Sequence, residues 1–169
     1  MLERFRTHAE SYEYKLGAAL KTERSVLEIL ELGIRNSSHA GVKELLSAHL
    51  EDSRAHVERL EGIFLLFGWE VADSPCPAME ALEKECKSAI KRAEPPLVDA
   101  IVLQIALEAE HLEVGAYENL IIHANAMERA DVVERLQPSL SSDQQALDNV
   151  KTMLAEVLGA EPVRGTGSM

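Results

Sequence analysis

Cysteine is nearly missing: the 169 residues contain only Cys76 and Cys86. Two thiols in a chain of this length make no disulfide framework, so stability has to come from a packed core, for which one domain of this size is ample. Aromatic residues make up 4%, too few for a base-stacking surface. Positive charge is scarce as well. The formal net charge of −12 argues against DNA, RNA or an anionic membrane as partner, because each demands clustered Lys and Arg. No run of about eighteen apolar residues is present to span a bilayer. The opening "MLERFRTHAESYEYK" has no apolar signal core. The expectation is a cytoplasmic protein with no membrane and no nucleic-acid partner. Alternating β-branched runs are also lacking, which excludes a sheet as the organising element.

Helical periodicity takes the place of all these. A first long helix is predicted over about 2–35, with Leu16, Leu20, Leu27, Leu30 and Ile34 on its apolar face. "NSSHAG" (36–41) breaks it and supplies cap residues. A second runs from about 41 to 67 and stops near Gly68. A short helix is predicted over about 76–92, and the prolines of "AEPPLVD" end it. A long helix over about 97–125 follows. Then come a short one over roughly 128–136 and a last one over about 139–158, with Pro138 marking a kink or a new start between them. Residues 1–160 read as one domain and the Gly-rich 161–169 as a tail. Four long helices with an extra helix between the second and third long ones need a long crossover. The predicted fold is therefore all-α, a ferritin-like four-helix bundle with a long crossover and two additional short helices.

Polar residues interrupt these apolar stripes. Glu23 lies three after Leu20 and four before Leu27. In "HLEDSRAH", His49, Asp52 and His56 are spaced three and four, so they share a face. Glu110, Glu113 and Tyr117 do the same in "ALEAEHLEVGAY", while His111 points away by about 100°. Gln144 and Asp148 stand four apart on the last helix. Taken singly, each has an ordinary reading: a Glu paired with a Lys or Arg at the stripe edge, a packed histidine, a solvated helix start. Taken together, four helices each bring carboxylate, amide or imidazole groups toward mid-stripe. Such carboxylates repel unless protons or cations sit among them. Oxygen and nitrogen donors from four helices suit two divalent ions, iron or manganese.

The stretches "ELLSAHLEDSRAHVERLEGIF" (44–64), "CPAMEALEKE" (76–85) and "EAEHLEVGAYENLI" (108–121) resemble the YciE/YciF-type bacterial stress proteins, a branch of the ferritin-like superfamily. The resemblance covers roughly 16–158. It implies a ferritin-like bundle paired as a homodimer, a role in stress response, and a di-metal centre inherited from the superfamily. The superfamily pattern is a Glu on one helix and Glu-x-x-His on the next, repeated once. By position, Glu23 matches the first glutamate and His56 the first histidine. Ser53 stands in the place of that histidine's glutamate, with Asp52 as the nearest substitute. Glu110 matches the second lone glutamate, and Glu113 is an extra carboxylate. Asp148 falls at the last histidine place and Gln145 at its glutamate place, with Gln144 beside it. The candidate metal set is thus Glu23, Asp52, His56, Glu110, Glu113, Gln144 and Asp148, for one or two ions of iron or manganese, with Tyr117 a hydrogen-bond donor behind them. The alternative is an ion-free structural or interaction protein that keeps the bundle and dimerises. An iron-storage cage is the weaker third reading. No substrate or reaction is assigned.

Overall fold

The computed structural model describes residues 4–159. Five α-helices account for most of them: α1 His8–Asn36, α2 Ala40–Phe67, α3 Pro77–Arg92, α4 Val98–Ala126 and α5 Ala130–Val157. A single turn of 3₁₀ helix, Pro95–Leu97, leads into α4. The tail expected over 161–169 lies outside the described residues.

Local chemistry sets the helix ends. Thr7 and Glu10 form a reciprocal capping box at the start of α1, the Thr7 hydroxyl accepting from the Glu10 N–H at 3.1 Å. Gly68 ends α2 in the left-handed region at φ 72°, where a Cβ would be strained. Pro77 occupies the first turn of α3, where its missing N–H leaves nothing unpaired. The tight α1–α2 turn is held from outside. Asp99, in the first turn of α4, accepts from the Ser38 N–H at 2.9 Å, the Ser38 hydroxyl at 2.7 Å and the His39 N–H at 3.1 Å. Burial alone would raise its pKa, but the Ser38 and His39 donors outweigh that and hold it low.

Those contacts fix the topology. α1 and α2 form one antiparallel hairpin, α4 and α5 another. The crossover 68–97 carries the chain back along the bundle so that α4 begins beside the α1–α2 turn. α1 packs on α2 and α4, and α5 packs on α4 and α2. The short α3 packs on α1 and α4. α4 is therefore packed by α1, α3 and α5, which explains why "AIVLQIALEA" is apolar nearly all round.

The fold class matches the sequence reading, with two revisions. The first helix, expected from about residue 2, starts at His8, where Thr7 caps it. The short helix expected over 128–136 and the last helix are one continuous α5, with Pro138 inside it. Pro138 removes the N–H that would bond the Glu134 carbonyl, but both residues are exposed, so water can serve that carbonyl. Leu136 and Leu140 on the opposite face are buried and hold the two halves in line.

The core is divided in two. One apolar cluster gathers Ile29, Leu30, Leu46, Met79, Val102 and Leu103. The other gathers Tyr12, Leu20, Leu60, Phe64, Leu120 and Leu136. Each fully buried large side chain contributes about 1.5–3 kcal/mol relative to exposure. Between the clusters, at mid-length of all four long helices, the interior is polar.

Candidate metal centre

That polar waist is made by Glu23 of α1, His49, Ser53 and His56 of α2, Glu110 and Glu113 of α4, and Asp143 of α5, all buried. Helical spacing puts them there. Glu23 falls between Leu20 and Val26 on the inner stripe of α1. His49, Ser53 and His56 continue the stripe between Leu46 and Leu60. Asp143 sits three after Leu140 and four before Leu147.

The donor atoms fall into two triads that share one carboxylate. Glu23, His56 and Asp143 form one, His49, Glu110 and Asp143 the other; within each, the donor atoms lie within 4.8 Å of one another. His56 Nδ1 is 3.2 Å from Glu23 Oε1 and 3.3 Å from Asp143 Oδ1. His49 Nδ1 is 2.8 Å from Glu110 Oε1. Tyr117 Oη donates to Glu23 Oε1 at 2.6 Å, and its ring meets that of His56 edge-on, with centroids 5.8 Å apart.

Proximity is not the same as pairing here. His49 Nδ1 and Glu110 Oε1 are close, yet neither makes a hydrogen bond, because the ring N–H does not point along the contact. Both oxygens of Glu110, Glu113 and Asp143, both nitrogens of His49 and Glu23 Oε2 are buried without a hydrogen-bond partner. Leaving such groups unpaired costs several kcal/mol each or so. Distances of 2.8–3.3 Å without donor geometry suit another arrangement. Two donors at right angles around an ion at about 2.1 Å stand about 3.0 Å apart. Four carboxylates and two imidazoles also make up the donor complement of the di-metal bundle sites, though there each imidazole comes from a separate helix. The residues present therefore fit a pair of divalent ions.

The electrostatics agree. Burial, then repulsion from Glu23, Glu110 and Asp143, raises the Glu113 pKa well above the carboxylate range. Burial, then Glu23, Glu110 and Asp52, pushes Asp143 up to about 9, against a pull from Arg59. Burial works against a charge on His49, but Glu110 outweighs it and raises the imidazole. Burial and Glu23 raise Tyr117, keeping its phenol protonated. In the absence of cations, protons are held where the carboxylates converge.

Of the sequence candidates, Glu23, His56, Glu110 and Glu113 are brought together. Asp52, Gln144 and Asp148 are not: all three are exposed. Asp52 is one residue from the inner stripe, so it is turned by about 100° and acts on the site only through its charge. Asp148 faces solvent, with Lys151 Nζ at 3.6 Å. Its place, and that of Gln144, is taken by Asp143. The four-residue spacing of Gln144 and Asp148 shows that they share a face but not that the face is the inner one; Leu140, Leu147 and Val150 set the inner stripe, and Asp143 is the carboxylate that falls on it. His49, recognised as facing inward but not counted as a donor, completes the second triad.

A four-helix bundle with a long crossover of this kind is the ferritin-like fold. The chain belongs to the family described as a domain of unknown function, DUF892, whose model matches residues 7–161. Among solved structures it is similar to YcfI from Rhodopseudomonas palustris, with 25% identity, a TM-score of 0.84, and coverage of 90% of this chain and 98% of that one. It is similar in fold to the Escherichia coli stress protein YciF, at 19% identity and TM-score 0.85, covering 93% of this chain and 100% of that one. The ferritin-like, diiron-carboxylate proteins from Bacillus anthracis str. Ames match at 16% identity and TM-score 0.70, covering 89% of this chain and 99% of theirs. No curated protein matches the sequence. The resemblance to the YciE/YciF-type proteins and the ferritin-like fold are both borne out.

Proposed function

We propose that the protein is a ferritin-like metalloprotein that holds two divalent ions, iron or manganese, across its polar waist. The observation that carries this is the set of buried, partnerless donor atoms on two triads joined at Asp143. Glu23 and His56 hold one ion, His49 and Glu110 the other, and Asp143 reaches both. Tyr117 fixes the Glu23 carboxylate by its hydrogen bond, and Glu113 stands beside Glu23 as a further carboxylate. A redox-active pair, if bound there, would supply one-electron chemistry toward oxygen or peroxide. A stress-response role follows the fold likeness to YciF, and with it we propose a cytoplasmic homodimer. Among the described residues, no helix is long and apolar enough to cross a membrane.

A second reading keeps the bundle without ions, as a structural protein. It is favoured by Glu113 and Asp143, whose raised pKa values let protons neutralise the waist. Elemental analysis of purified protein, with thermal melts in and out of chelator, separates the two. The metal reading expects two ions per chain, a melting point lowered by chelator, and loss of at least one ion in Glu110→Ala. An unmoved midpoint with no bound metal favours the structural protein.

A further inference from the structure

Each triad supplies three protein donors and one donor is common to both. First-row divalent ions take four to six ligands, so open positions remain around the pair. On the α1–α4 side, Glu113 and Tyr117 stand next to Glu23. The α2 side is different. Between His49 and His56, four after one and three before the other, the inner stripe presents Ser53. It is fully buried, and its hydroxyl has no hydrogen-bond partner. Three other helical hydroxyls, those of Thr22, Ser47 and Thr152, each donate to the carbonyl four residues earlier, at 2.7–2.9 Å, while that of Ser25 is buried and unpaired like Ser53 but lies outside the two triads. Ser53 makes no such bond. Its short side chain leaves α2 with no carboxylate at the level midway between its two imidazoles.

Building on the two-ion reading, we propose that Ser53 marks an open bridging position which takes a small three-atom anion of carboxylate size, with the Ser53 hydroxyl donating a hydrogen bond to it. A side chain that supplied its own carboxylate at residue 53 would close this position. With Ser in its place, Asp143 on α5 would serve both ions, and the α2 side would be left for an external anion.

The test uses the full chain loaded with Co(II), whose visible absorption reports its ligands, and titrated with sodium azide or sodium formate. The expected result is two Co(II) per chain, a saturable spectral change with either anion, and about five- to tenfold weaker anion affinity in Ser53→Ala. Ser53→Glu should keep both ions and no longer respond. If the wild type holds two Co(II) but neither anion alters the spectrum, the inference is wrong while the metal reading stands. Unchanged affinity in Ser53→Ala, or an undiminished response in a folded Ser53→Glu, overturns it equally. Should the wild type take up no Co(II), both readings fall together.

Discussion

Replacing Asp143 by asparagine should make the ion-free protein more stable while abolishing its hold on metal. The side chain is fully buried and lies in both triads. Its carboxyl has an ordinary pKa of 3.8 and one of about 9 in the fold. Between those values the folded chain retains a proton that the unfolded chain releases, so folding weakens as pH rises through that window. At pH 7 the gap from 3.8 spans about three units, or about 4 kcal/mol at 1.4 kcal/mol per unit. The shift is shared with the neighbouring carboxylates, Glu23 and Glu110 first among them, which leaves on the order of 2 kcal/mol for Asp143 alone. Asparagine keeps the shape and carries no titratable proton. In chelator at pH 7, Asp143→Asn should therefore melt about 4–8 °C higher than wild type. Its advantage should be small at pH 5 and larger at pH 8. With Mn(II) added, only wild type should gain stability, because the variant loses the carboxylate common to both ions. Thermal melts at pH 5, 7 and 8, with chelator and with Mn(II), read all of this. A variant less stable than wild type in chelator at pH 8, or an advantage that does not grow with pH, would refute the reasoning.

Three further outcomes are expected. Metal uptake displaces protons from Glu113 and Asp143, so Mn(II) affinity should rise by up to about tenfold per pH unit for each proton released; calorimetry in buffers of unlike ionisation heat counts them, and identical heats in all buffers reject the idea. Tyr117→Phe removes the 2.6 Å hydrogen bond to Glu23 and should weaken Mn(II) binding about 10–100-fold in equilibrium dialysis, with the helical content unchanged. Asp99→Ala strips the Ser38 and His39 donors of their acceptor and should lower stability by about 1–3 kcal/mol in urea while leaving metal stoichiometry intact; a loss of ions in that variant contradicts the assignment of Asp99 to the turn alone.

Much of the architecture was legible because the leucine spacing is regular and the breaks are chemically loud. "NSSHAG" and Gly68 end helices by cap chemistry, and the structure places them within a residue or two of expectation. Pro138 misled for an identifiable reason. Local rules say a proline ends a helix, but here the unbonded carbonyl lies on the wet side and tertiary packing overrides the break. The α5 site residue is a separate matter: spacing puts Gln144 and Asp148 on one face, but the phase set by Leu140, Leu147 and Val150 turns Asp143 inward instead. Glu23, Glu110, Glu113 and His56 were readable because each falls at three- and four-residue steps within an unbroken apolar stripe. His49 was readable as an inward residue, but periodicity does not say which inward polar groups meet across helices. The partnering of His49 with Glu110, and the sharing of Asp143, depend on the relative heights of three helices that the sequence pattern leaves free.

The polar waist also shapes how the bundle comes apart. Helices generally loosen from their tips inward. Here the apolar adhesion is concentrated above and below the midline, with Leu46 and Leu103 in one half and Leu20 and Phe64 in the other. Stripped of cations, the molecule is a rod gripped near both ends and slack at its middle, so the backbone amides around Glu23, Ser53, Glu110 and Asp143 should exchange with deuterium sooner than those a few turns away on either side. Filling the waist with ions would turn the slackest stretch into the tautest.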